Sequence, residues 1–119
     1  MGHPTIYPTG VTVYNPDKCW NGFTIFQAHE VGAVLMDMNG REVKVWRGVN
    51  GMPNKLLPGG QILTTRGLRN GKYGVQDYLD LVQVDWDGNI VWKFDRNEFI
   101  EDPGAPGRWM ARYHHDHQR

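Results

Sequence analysis

The sequence predicts an all-β chain, and three observations carry that expectation. A stretch of strand-forming residues around an Asp-Gly pair, Leu81 to Phe94, has an earlier copy from Ala33 to Trp46. Placing Gly40 on Gly88 puts Asp37 on Asp85, Asn39 on Asp87, Val43 on Val91 and Trp46 on Phe94, a repeat at an offset of 48 residues. Fifteen glycines, seven prolines and five tryptophans describe short strands joined by turns and filled by bulky side chains, not a helical bundle. Hairpins repeating at that length belong to propeller blades or solenoids. The expected architecture is therefore a partial β-propeller of about two four-stranded blades, completed by another chain or by self-association.

Each copy reads as a hairpin for physical reasons. Val82, Val84 and Trp86 fall on one face and Gln83, Asp85 and Asp87 on the other, the period of a half-buried strand. Asn39-Gly40 and Asp87-Gly88 tolerate the positive φ of a tight hairpin turn. Val34, Leu35 and Met36 are consecutive apolar residues, a pattern that suits a strand covered on both faces.

Taken in order, residues 1–21 are expected to form an extended arm holding one short strand, Val11 to Tyr14, between Pro8 and Pro16. Residues 22–107 hold the two blade repeats, and 108–119 open a third. Gly22 to Gln27 is the first blade strand, with Phe23 and Ile25 on one side and Thr24 and Phe26 on the other. Lys55 to Thr65 forms a hairpin on Pro58-Gly59-Gly60, since proline presets the first turn position and glycine takes the positive φ after it. The connection 66–79, with two arginines and two tyrosines, is long enough to be a binding or packing loop. Residues 96–107 are polar and proline-punctuated and read as loop with at most one helical turn.

Equal numbers of acidic and basic residues, thirteen each, remove any electrostatic demand for nucleic acid or an anionic membrane. Cys19 has no second thiol to pair with and reads as a small buried apolar residue. The amino terminus lacks a secretory signal and no stretch reaches membrane-spanning length. The expected location is cytoplasmic, or periplasmic if the true start lies upstream. Two blades leave sheet faces and edges uncovered, so the expected partner is a companion chain carrying further blades or further copies of this one.

The Leu57-Pro58-Gly59-Gly60-Gln61-Ile62-Leu63 hairpin, the segment Val84-Asp85-Trp86-Asp87-Gly88-Asn89-Ile90-Val91-Trp92 and the later His114-His115-Asp116 together resemble the amino-terminal blades of the arylsulfotransferase family of β-propellers. The resemblance runs from about Gly22 to Arg119. It implies a transferase acting on phenolic or aromatic substrates without a nucleotide donor, in which histidines and an arginine from several blades meet in a central cavity. Imidazole is a neutral nucleophile near pH 7 and leaves readily when protonated. On this resemblance His114 and His115 are the catalytic candidates, and Arg112, Arg108 and His29 would bind substrate. The histidine that accepts the sulfuryl group would lie on a later blade, so the isolated chain is not expected to complete a turnover.

The terminal cluster His114, His115, Asp116 and His117 invites three readings. As an anion site it would be aided by Arg112 and Arg108, whose planar guanidinium suits oxyanions. As a metal site, His115 and His117 would share one strand face, and zinc or copper would require a third ligand from His29, His3 or another chain. As a structural cluster it would hydrogen-bond backbone between blades. Asp85 to Asn89 starts like a calcium loop but lacks the closing glutamate, so a hairpin turn is the reading kept. Tyr73, Tyr78, Trp86 and Trp92 are expected to pack between sheets. Beyond an enzyme, a non-catalytic interaction or scaffolding module fits the same architecture.

Overall fold

The computed structural model describes residues 11–66, 80–111 and 116–118. Every regular element in them is a strand: β1 (Thr24–Ala28), β2 (Gly32–Met36), β3 (Glu42–Arg47), β4 (Lys55–Leu57), β5 (Gln61–Thr64), β6 (Leu81–Val84), β7 (Ile90–Phe94), β8 (Asn97–Ile100) and β9 (Arg108–Ala111). They form antiparallel meanders in the orders β1-β2-β3, β4-β5-β6-β7 and β8-β9. The chain is all-β, as its composition predicts.

The repeat is present in the pairing itself. Ala33 faces Trp46, Val34 faces Val45, Leu35 faces Lys44 and Met36 faces Glu42. Their counterparts in the second sheet pair identically: Leu81 with Phe94, Val82 with Lys93, Gln83 with Trp92 and Val84 with Ile90. Even the bulge recurs, between Leu35 and Met36 in one sheet and between Gln83 and Val84 in the other. A bulge re-aims the strand leading into the turn, so its recurrence preserves the turn geometry as well as the strands.

Both turns are larger than the two-residue loop that an Asn-Gly or Asp-Gly pair suggests. The Gly40 amide donates to the Asp37 carbonyl at 3.1 Å and the Asp37 amide to the Arg41 carbonyl at 3.0 Å. Gly40, at φ 77°, is the only residue of its loop in the left-handed region. This is a turn followed by a left-handed glycine, the three-residue hairpin loop. The opening aspartate stabilises it: Asp37 Oδ1 accepts from the Asn39 and Arg41 amides at 2.8 and 2.9 Å. Asp85 accepts the Asn89 amide at 2.8 Å in the same way, and these bonds, with Asn89 foremost, hold its carboxyl below the ordinary 3.8.

The first two sheets pack face to face. Ala33, Leu35 and Trp46, with Ile25 beside them, meet Ile62, Val82 and Val84 in one buried cluster. The far side of the second sheet carries Leu63 and Leu81, flanked by Leu57, Trp92 and Phe94. The Trp92 and Phe94 rings lie parallel, 6.4 Å apart.

Several expectations are corrected. No strand forms over 11–14, where Val13 is 86% exposed; the run lies between Pro8 and Pro16, and proline cannot donate to a sheet ladder. The first sheet has three strands, β1-β2-β3, not the four expected of a blade. Residues 97–100, expected as loop, are β8, because Phe99 finds Trp109 across the β8-β9 pair with ring centroids 5.7 Å apart. Cys19 is half-buried, not buried. Trp86 is 42% exposed, held edge-on to Trp46 at 5.6 Å with the Lys44 ammonium 5.4 Å from its ring centre. Tyr73 and Tyr78 lie outside the described residues.

Candidate functional site

The chain passes from the first sheet to the second through residues 48–54, and a buried polar network fixes that passage. Asn54, at the entry to β4, donates from Nδ2 to Gln27 Oε1 at 2.9 Å and to the Gly51 carbonyl at 3.1 Å. Its Oδ1 accepts the Thr64 hydroxyl at 2.5 Å. Gln27 Nε2 in turn donates to the Val49 carbonyl at 3.1 Å. Asn54 and Thr64 are both buried, and a buried amide and hydroxyl are tolerated there because each is answered.

A second cluster closes the neighbouring end of β5 and β6. Asp80 Oδ1 accepts the Thr65 hydroxyl at 2.7 Å and the Arg66 amide at 2.8 Å. The Asn50 amide donates to the Thr65 carbonyl at 2.7 Å. Arg66 is thereby held where β5 ends, and its Nε reaches back to the Gly48 carbonyl at 3.4 Å.

These elements enclose an open cavity of about 310 Å³ at one end of the two packed sheets, bordered by Gln27, His29, Val31, Val49, Asn50 and Arg66. Val31 and Val49 give it apolar lining; its polar lining includes the Arg66 guanidinium and, at the rim beside His29, the Glu30 carboxylate. Among the described residues Arg66 makes no ion pair. His29 stands on the rim with its side chain 94% exposed, Nδ1 lying 3.8 Å from Glu30 Oε1. An exposed pair at that distance adds little stability.

Of the residues singled out from the sequence, His29 therefore borders the cavity. Arg108 belongs to β9. Arg112, His114 and His115 lie outside the described residues. His117 is half-buried on the far side of the second sheet, near β4 and β5; its neighbour Asp116 pairs with Lys55 Nζ at 2.7 Å. Burial pushes the His117 imidazole below its ordinary 6.5, against a smaller upward pull from the Leu63 backbone. The Lys55 ammonium holds the Asp116 carboxyl below 3.8. An ammonium at that position opposes a cation, and among the described residues no three His, Cys, Asp or Glu side chains converge as a metal site.

Sequence reading missed Gln27, Asn50, Asn54 and Thr64 as parts of one unit. They are separated by up to 37 positions and share no motif, and only Arg66 carried a signal, as the first residue of a long inter-strand connection. Comparison of the chain with protein-family models, curated proteins and solved structures finds no match.

Proposed function

We propose that the cavity beside Arg66 binds a small aromatic anion, a phenolic sulfate being the form that fits the sequence resemblance, and that the chain forms part of an arylsulfotransferase-like propeller. The observation that carries this reading is the Arg66 guanidinium, held by Nε against Gly48 with no carboxylate partner among the described residues, beside the apolar lining from Val31 and Val49. A guanidinium offers two parallel N–H donors to an oxyanion. Val31 and Val49 are suited to an aromatic ring, and His29 can donate to a sulfate oxygen from the rim. The polar network behind Asn54 keeps the cavity wall rigid, which reduces the ordering cost of binding.

Transfer of the sulfuryl group would require further strands, from a companion chain or from other copies, to close the open side and supply the accepting nucleophile. Binding alone is testable on this chain. Titration with 4-nitrophenyl sulfate, followed by calorimetry or by chemical shifts of the Asn50 and Arg66 amides, should show saturable binding that Arg66→Ala weakens at least tenfold. The neutral ester 4-nitrophenyl acetate should bind no better to the native chain than to Arg66→Ala. Equal affinity of the native and Arg66→Ala chains for the sulfate would sink the reading.

A scaffolding role is favoured by a different observation. Trp20 is 96% and Phe23 61% exposed, and exposed rings of this size near a sheet edge commonly mark contact surfaces.

A further inference from the structure

We infer, building on the aromatic-anion reading, that the cavity takes an aromatic zwitterion, its anionic group at Arg66 and an ammonium group at Glu30, and that Glu30 is the residue that selects it.

Glu30 stands where the backbone calls for a different residue. The Val31 amide donates to the Ala28 carbonyl at 3.1 Å, closing a four-residue turn between β1 and β2, and Glu30 is its third residue, at φ 63°. A turn of that form favours glycine or asparagine at this position. Every other left-handed position among the described residues is a glycine, Gly40, Gly59 and Gly88 in the other hairpin turns included. A larger side chain there carries a conformational cost. With its side chain 85% exposed, Glu30 returns little packing for that cost, so its use lies in the charge it sets on the cavity rim.

That charge is opposite to the charge of Arg66, which borders the same cavity. Among the described residues the two do not form an ion pair. Arg66 is drawn through Nε to the Gly48 carbonyl at 3.4 Å, and the Glu30 carboxylate lies 3.8 Å from His29 Nδ1, an exposed contact too weak to occupy it. Opposite charges that share a cavity without neutralising each other are two separate points of attachment. A ligand with an anion alone gains at Arg66 and is repelled at Glu30; one that also carries an ammonium gains at both, which is how charge complementarity discriminates between ligands. His29 turns Nδ1 to the carboxylate, so Nε2, across the ring, is the nitrogen that can donate to the sulfate. The volume of about 310 Å³ is at the lower end for small-molecule sites and suits a single ring with two short substituents.

The test is a cycle of two ligands and two chains. Tyramine O-sulfate carries a sulfate and an ammonium; 4-propylphenyl sulfate has the same shape with a methyl group in place of the ammonium. Calorimetry gives the ratio of their affinities for the native chain and for Glu30→Gln, and comparing the ratios cancels the difference in apolar burial between the ligands. Glu30→Gln should lower the relative affinity for tyramine O-sulfate about three- to fivefold at low salt, the scale of an exposed ion pair, and should bind 4-propylphenyl sulfate more tightly than the native chain does. In about 1 M salt the effect should nearly vanish. Glu30→Gly, which suits the backbone better, should show the same loss and replaces the glutamine variant if circular dichroism shows that variant to be unfolded. An unchanged ratio in a folded variant, with Arg66→Ala still weakening both ligands, overturns the role of Glu30 and leaves the anion site standing. Binding of both ligands that is indifferent to Arg66→Ala overturns the anion reading and the zwitterion with it.

Discussion

Trp46, the last apolar residue of β3, donates its indole N–H to the backbone carbonyl of Asp85, 2.8 Å away, at the start of the β6–β7 turn. The same carbonyl accepts the Gly88 amide at 3.2 Å. One side chain of the first sheet thus ends on the turn of the second, and the hydrogen bond sets how the two faces meet after apolar burial has brought them together. Hydrophobic contact alone is non-directional; the indole supplies direction.

Replacing Trp46 by Phe should cost about 2 kcal/mol, combining one lost hydrogen bond of about 1 kcal/mol with the volume left behind. Trp46→Ala should cost about 3–5 kcal/mol, near the top of the range for a buried aromatic. Urea unfolding followed by circular dichroism checks both. A Trp46→Phe variant as stable as the native chain would mean that the indole N–H contributes nothing.

Gly32 should tolerate no side chain. A Cβ there would lie 2.1 Å from the Trp46 carbonyl oxygen, and its φ of 129° is a region that residues with side chains avoid. Gly32→Ala should therefore lose more than about 4 kcal/mol, the range that marks a named steric mechanism. Gly88→Ala is the control: its φ is 93° but the space around it is open, so only the left-handed penalty of about 1–2 kcal/mol applies. Thermal unfolding should rank the two clearly.

Thr64→Val removes the hydroxyl that satisfies the buried Asn54 Oδ1 while keeping the shape of the side chain. The orphaned acceptor should cost about 1–3 kcal/mol. Thr64→Ser retains the donor and should lose only the methyl contribution, about 1 kcal/mol. Amide exchange at Gly51 and Asn54 should accelerate in the valine variant and not in the serine variant.

Docking of the terminal segment should weaken in mild acid. The His117 imidazole has its folded value depressed by burial below 6.5, so its contribution is complete above 6.5 and is lost as pH falls through the lower folded value. The Asp116–Lys55 pair persists through that window, since the Asp116 carboxyl, held down by Lys55, titrates below 3.8. Lys93, raised above 10.5 by Asp95, contributes stability that is lost only as pH rises through its folded value. His117→Ala should flatten the dependence of segment protection on pH as pH falls below the ordinary histidine value of 6.5, measured by hydrogen exchange, and leave the alkaline limb unchanged.

The sequence alone determined the strand class, the doubled hairpin and the places where the chain turns. Those properties are local: an alternating run declares its faces, and an aspartate three residues before a glycine builds its own turn whatever lies beyond it. Tertiary structure decided the rest. Residues 97–100 became a strand because Trp109 was there to meet Phe99, and Arg66 came to border a cavity with His29 because Asn54, Thr64 and Asp80 fix the segments between two sheets. Pairings across such separations depend on which surfaces meet, and that choice is written in the whole packing and not in any one stretch of residues.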